Sequence, residues 1–181
     1  MAITLEELAK EVQKLKDIEE IKVLKARYSD MCDSNHDWTQ IKDLFAPDAK
    51  WIGDPTQPWG GGNNREEIEK HFQFYQTQMD GVPRVGGLGH NPMAPQITVA
   101  DDGVHATGKW HMFGAFRMFE GRAETGSKSF LEQGKYEDEY VKIDENGNLD
   151  PNGKWFISQL SFWDTLCASP QDGWDDKVIQ W

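Results

Sequence analysis

Two short stretches carry the side chains best suited to acid–base chemistry. Tyr28 and Asp33 fall in Ala26-Arg27-Tyr28-Ser29-Asp30-Met31-Cys32-Asp33, and His90 closes the glycine-rich run Gly86-Gly87-Leu88-Gly89-His90. Histidine has the unperturbed pKa nearest neutrality, and a carboxylate partner orients the ring and raises its basicity. Asp33 ends a helical stripe, where the helix dipole disfavours a carboxylate, so it needs a positive or hydrogen-bonding neighbour. Tyr28 lies on the apolar side of that stripe, ring inward, with a hydroxyl that needs a partner. By residue type alone, Asp33 is better read as the start of the solvated turn Asp33-Ser34-Asn35. A lone histidine such as His90 is more often a hydrogen-bonded structural residue than a catalyst. The two explain each other only if the fold brings them together, which spacing does not decide.

Other chemistries lack their signatures. The chain has no G-x-G-x-x-G after a strand, no Walker loop, no H-E-x-x-H, no C-x-x-C and no G-x-S-x-G elbow. Gly60-Gly61-Gly62 lacks the lysine and the strand–loop–helix setting of a phosphate cradle. An enzyme of this sequence is therefore expected to work by acid–base side chains, with no cofactor and no metal. His36, His71 and His105 fall on a turn, a helix and a hairpin flank and read as surface residues. His111 points away from the face that carries Trp110, by the period of two in a strand. Arg65, Arg84, Arg117 and Arg122 could clamp a substrate, and nothing chooses among them. Trp51 and Trp59 are placed nearest a cavity mouth; a core role fits Trp51 equally well, and Trp59 less, because Pro58 and Gly60 flank it.

These residues need elements to position them. Thr4-Leu5-Glu6-Glu7 is a capping box, and Leu5, Leu8, Val12 and Leu15 repeat at helical spacing. The stripe breaks at Asp17, where Asp17-Ile18-Glu19-Glu20 offers a second cap, predicting two helices over 5–16 and 18–33. The first is a dimerising or lid-like arm, or an arm packed on its own domain. Asp37 caps a short helix through Phe45, Ala49 to Gly53 alternates as a strand, and 65–79 is helical. Strands follow over 95–100, 104–119, 130–143 and 155–166. Helices first and antiparallel hairpins second spell an α+β fold, with helices on one face of a curved sheet and a cone-shaped cavity between them.

The order of these segments resembles a known family. Tyr28 and Asp33, then Trp38, Leu44-Phe45-Ala46-Pro47-Asp48-Ala49 and Trp51, are similar to the opening of SnoaL-like proteins of the NTF2-like superfamily. Gly89-His90-Asn91, Gly108-Lys109-Trp110, the run from Gly134 to Ile143 and Gly153-Lys154-Trp155-Phe156-Ile157 match as well. The resemblance runs from about residue 15 to 166 and divides the chain into an arm (1–16), the domain (17–166) and a tail (167–181). It implies an NTF2-like, cystatin-like cone-shaped barrel. The nearest branch is that of bile acid 7α-dehydratases, with scytalone dehydratases and hexachlorocyclohexane dehydrochlorinases more distant. Those enzymes eliminate without cofactor by a His–Asp dyad. The resemblance thus makes His90 the base, Asp33 its orienting partner and Tyr28 a hydroxyl that polarises the substrate.

The departures narrow the substrate. Where the bile acid branch has an acidic residue, this chain has Gly114, and where that branch has an arginine on the final strand it has Asp164. Gly114 is expected to open space beside Trp110, Met112 and Phe116, making an aromatic slot for a two-ring or polycyclic ligand. Asp164 is either an acceptor for a phenol or alcohol, or a second acid, or a strand-end residue facing water. The expected activity is dehydration of a bulky hydroxylated aromatic or polycyclic molecule. Alternatives are a carbon–carbon lyase that releases formaldehyde from a lignin-derived diarylpropane after dehydration, an isomerase or cyclase, a small-molecule binder, and a dioxygenase β-type subunit.

Composition bounds the partners. The 181 residues carry 19 Lys plus Arg against 31 Asp plus Glu, a net charge of −12, with no basic stripe. Such a surface repels phosphate backbones, so neither nucleic acid nor an anionic membrane is expected as a partner. No apolar run approaches the ~20 residues of a membrane span. The acidic, amphipathic start does not read as a secretory signal, and Cys32 and Cys167 form no disulfide framework. A cytoplasmic protein is expected, as a homo-oligomer of two or three copies by the resemblance. Eight Trp, nine Phe and four Tyr in a chain of mean hydropathy −0.72 place bulky rings in a few segments, as a pocket for flat ligands requires.

Overall fold

The computed structural model describes residues 3–34, 36–53, 60–77, 89–119 and 127–168. It opens with one long helix, α1 (Leu5–Asp33), started by the expected capping box: the Thr4 hydroxyl accepts from the Glu7 amide at 3.1 Å, and the Thr4 amide donates to the Glu7 carboxylate at 2.7 Å. The two helices expected over 5–16 and 18–33 are continuous. Asp17 does not cap. Its buried carboxylate accepts from Lys142 Nζ at 2.7 Å, Trp155 Nε1 at 3.0 Å and Gln13 Nε2 at 3.2 Å, so the side chain that reads as a stop is committed to tertiary partners. Beyond Asp17 the helix buries Ile21, Leu24, Lys25, Tyr28, Met31 and Cys32. Before it, the stripe faces outward, with Leu5 87% and Leu15 62% exposed. The arm is therefore not packed on its own domain along that stripe.

The short helix expected through Phe45 is a 3-10 helix (Trp38–Asp43) that ends sooner, and strand β1 (Phe45–Ile52) starts earlier than Ala49. The reason is pairing: Phe45 lies opposite Ile157, whose amide donates to the Leu44 carbonyl at 2.8 Å. Pro47 is tolerated because β1 is an edge strand, irregular between Phe45 and Lys50. Helix α2 (Arg65–Thr77) precedes β2 (Asn91–Val99), β3 (His105–Phe119), β4 (Ser127–Ile143) and β5 (Lys154–Ala168). The strand order is β1-β5-β4-β3-β2, parallel only between β1 and β5. β2 begins before residue 95 for the same reason as β1. Pro92 and Pro95 sit on the other edge of the sheet, and Ala94 takes a left-handed φ of 49° where the register shifts. With β1 and β2 as its edges the sheet curves but does not close, so the expected barrel is open.

Alternation sorts the long strands. Trp110, Met112, Gly114 and Phe116 of β3 turn inward while His111 and Phe113 are exposed. On β4 the inward set is Glu132, Gly134, Tyr136, Asp138, Tyr140 and Lys142. Charged residues on that face need partners. Lys25 and Asp138, both 0% exposed, pair at 2.8 Å, and the Lys25 ammonium sits 3.3 Å from the centre of the Tyr136 ring. Tyr140 donates to Asp138 at 2.9 Å and Trp110 Nε1 donates to Tyr140 at 3.1 Å. Two buried ion pairs, Lys25–Asp138 and Lys142–Asp17, thus pin α1 across the concave face. Among the described residues no helix is long and apolar enough to cross a membrane.

Candidate active site

Asp33 is the last residue of α1 and His90 immediately precedes β2, and the fold joins them. His90 Nδ1 lies 2.8 Å from Asp33 Oδ1, and the His90 amide donates to both carboxylate oxygens at 3.0 and 3.1 Å. The carboxylate can only accept, so Nδ1 points its hydrogen at Asp33 and Nε2 is the ring nitrogen left for a substrate. These donors also answer the unfavourable end of the helix dipole at Asp33. Gly89 makes the contact possible: a Cβ built there would fall inside the Asp33 carboxylate. The glycine before His90 therefore has a steric function. The His90 side chain is 16% exposed, enough for a small molecule to reach it.

Aromatic rings fix the imidazole. Phe116 meets it edge-on at 5.1 Å and in turn stacks on Phe130 at 5.1 Å, while His36 stands perpendicular to it at 6.5 Å. His36 was expected on the surface. It instead takes a left-handed φ of 55°, packs 5.7 Å from Phe72, and has its pKa pushed down to about 4, first by burial and then by His90. His71, also expected outside, sets its ring edge-on to Trp51 at 5.0 Å, and burial lowers its pKa too. The cause in both cases is the turn after α1, which lays His36 under α2 beside the Trp51–Phe72 stack at 4.8 Å. His105 is exposed, as expected, and His111 is exposed on the face opposite Trp110.

The remaining expected site residues divide. Tyr28 is buried, edge-on to Phe45 at 6.0 Å and to Tyr136 at 6.3 Å, with Cys32 acting on its hydroxyl. Burial, then Cys32, holds its phenol well above the ordinary range, so it stays protonated. Trp51, Trp110 and Met112 all join the main core, Trp110 through its bond to Tyr140. Gly114 does not open a slot: the Phe116 ring folds over the place its side chain would take, and the Gly89 carbonyl is 3.0 Å from a Cβ built there. Trp59, Arg84 and Arg122 lie outside the described residues, and so does the side chain of Arg117.

Asp164 is neither at a strand end nor near water. It is 0% exposed, opposite Gly134 in the ladder, and acts electrostatically on Glu132, itself 7% exposed. Glu132 was missed from the sequence, although the two-residue spacing from Glu132 through Gly134 to Tyr136 places it on the inward face. Burial first, then the neighbouring Asp164, pushes the Glu132 carboxyl up to about 10. Two buried carboxyls side by side cannot both ionise, so the pair holds a proton at neutral pH. Burial and the same two acids raise the Cys167 thiol to about 11, and they also act on Tyr136, beside Tyr28. The site thus has an imidazole paired with a carboxylate at one wall and a carboxyl pair that holds a proton in another. Among the described residues no cluster of three His, Cys, Asp or Glu could hold a metal ion.

The family profile of the SnoaL-like domain matches residues 13–161. The chain belongs to the SnoaL-like family. Solved relatives share its architecture at low identity. A Novosphingobium aromaticivorans protein assigned provisionally as a scytalone dehydratase is 18% identical, with a TM-score of 0.64 over 86% of this chain and 89% of that one. An NTF2-like protein with a cystatin-like fold from the same species is 18% identical, with a TM-score of 0.61 over the whole of both chains. The LinA-type3 hexachlorocyclohexane dehydrochlorinase of Novosphingobium barchaimii is 15% identical, with a TM-score of 0.64 over 88% of this chain and 93% of that one. At these identities the likeness is one of fold. This SnoaL-like chain has the NTF2-like, cystatin-like α+β fold expected of it.

Proposed function

We propose that this SnoaL-like protein is a cofactor-free lyase that eliminates water from a bulky hydroxylated aromatic or polycyclic small molecule. The observation that carries the reading is the Asp33–His90 pair, bonded at 2.8 Å through Nδ1 so that Nε2 is left as a base. Nε2 takes a proton from carbon, the electron pair of that C–H bond becomes the new double bond, and the neighbouring C–O bond breaks. Asp33 steadies the imidazolium that forms. Tyr28, on the same helix as Asp33, is assigned the hydrogen bond that polarises the substrate, and Phe116 a wall against which an aromatic substrate rests. Positioned acid–base groups contribute about 10²–10⁴-fold each. Exclusion of water by the surrounding rings strengthens their electrostatics. The names of two neighbours, a dehydratase and a dehydrochlorinase, both describe eliminations, which supports the reaction class.

The test is a screen of steroid alcohols and two-ring phenolic diols by quenching of tryptophan fluorescence, with mass spectrometry of each responding mixture. Loss of water that disappears in His90→Ala supports the proposal. Loss of formaldehyde as well would assign the carbon–carbon lyase branch. Binding with no change of mass in any responder would replace the enzyme by a binding protein.

A further inference from the structure

We propose that the Glu132–Asp164 carboxyl pair is the general acid of this elimination, its proton passing to the departing hydroxyl while His90 takes the proton from carbon. The inference rests on the lyase reading above and adds the second half of its acid–base chemistry. Glu132 on β4 lies directly opposite Gly114 on β3, and cross-strand Cα atoms are about 5 Å apart. A Cβ built at Gly114 would lie 3.0 Å from the Gly89 carbonyl, next to His90, and Phe116 two residues on meets the His90 imidazole edge-on at 5.1 Å. His90 and the carboxyl pair therefore flank one patch of β3 from opposite sides.

The pair is a poor structural device. Two adjacent acids with 7% and 0% exposure would be replaced without loss by apolar residues if packing were their only task. Their environment does what a general acid needs: Glu132 stays protonated far above its ordinary range because burial and Asp164 oppose its ionisation. The titratable groups packed about the pair are Cys167 on β5 and Tyr136 on β4, both held protonated by burial. Through Tyr136 the pair also reaches Cys32 on α1 and Asp138 on β4. The balance closes. Hydroxide leaves as water with the Glu132 proton, and the singly charged pair takes a second negative charge that its burial disfavours. The proton His90 took from carbon passes to the pair before the next turnover, so the net change is loss of water.

Leaving-group dependence separates this role from a structural one. With a two-ring phenolic diol as probe, Glu132→Gln should lower kcat at least 100-fold with KM changed less than about threefold. The same variant should regain most of its rate on the probe bearing chloride in place of the departing hydroxyl, because chloride leaves without a proton. His90→Ala should be inactive on both. Infrared difference spectra of the unliganded protein at pH 8 should show a protonated carboxyl band that Glu132→Gln removes; Asp164→Asn supplies a second variant if that one folds poorly. Equal impairment on both probes, an unimpaired Glu132→Gln, or no such band would overturn the acid assignment while leaving the lyase reading intact. Full activity of a folded His90→Ala would instead overturn the lyase reading.

Discussion

Gly89 shows how closely one residue can control the proposed chemistry. Because a Cβ there overlaps the Asp33 carboxylate, Gly89→Ala should separate Asp33 from His90 and lower turnover about 10²-fold or more, with the far-ultraviolet circular dichroism unchanged. His36 sets an acid limit on stability. Its folded-state pKa of about 4 lies below the ordinary 6.5, so the unfolded chain binds more protons between those values. Its contribution is whole above pH 6.5 and is lost as pH falls towards 4, and His36→Asn should flatten urea-unfolding stability across that window. Glu132 acts with the opposite sign. Its folded-state value is raised to about 10 from 4.5, so it subtracts stability as pH rises above 4.5. Glu132→Gln should be the more stable protein at pH 8. Of these residues, His90 and Asp33 were legible by type, but only as a conditional pair, since 57 residues of chain separate them. Glu132 was not seen, because Glu132, Glu137 and Glu139 look alike in the sequence and only the strand's phase turns the first inward.

At the scale of elements, legibility follows the strength of local pattern. The long strands β3 and β4 were readable because alternation over many residues leaves one choice of face. Asp17 misled because it is a buried acceptor that does not cap, and the strands carrying Pro47, Pro92 and Pro95 begin earlier than expected because the edges of the sheet tolerate proline. The same circumstances make α1 dependent on its ion pairs. Burial works against both charges of Lys25 and Asp138, lowering the lysine's pKa and raising the acid's, and only their mutual contact offsets it. Lys25→Met should therefore destabilise the fold by about 3–5 kcal/mol in chemical denaturation, and Lys25→Met with Asp138→Leu should recover much of that loss. A single variant as stable as the parent would show that the pair does not hold α1 on the sheet.

Over the whole molecule, the open sheet and the long helix leave apolar surface exposed among the described residues. Ile3, Leu5, Leu8, Val12 and Leu15 are all exposed along the arm. The homo-oligomer expected from the family resemblance would use this arm, so Leu8→Ser with Leu15→Ser should shift the molecular mass seen by light scattering towards the monomer. The fold was legible at this scale because helices followed by hairpins admit few arrangements. The openness of the sheet was not, because it depends on which strands end as edges. The cofactor-free elimination itself is tested most directly by turnover of a responding hydroxylated probe, followed by mass, in His90→Ala and Asp33→Asn made in the folded protein. Loss of water abolished in the first and slowed about 10²-fold or more in the second is the predicted result. Undiminished water loss in a folded His90→Ala would contradict it.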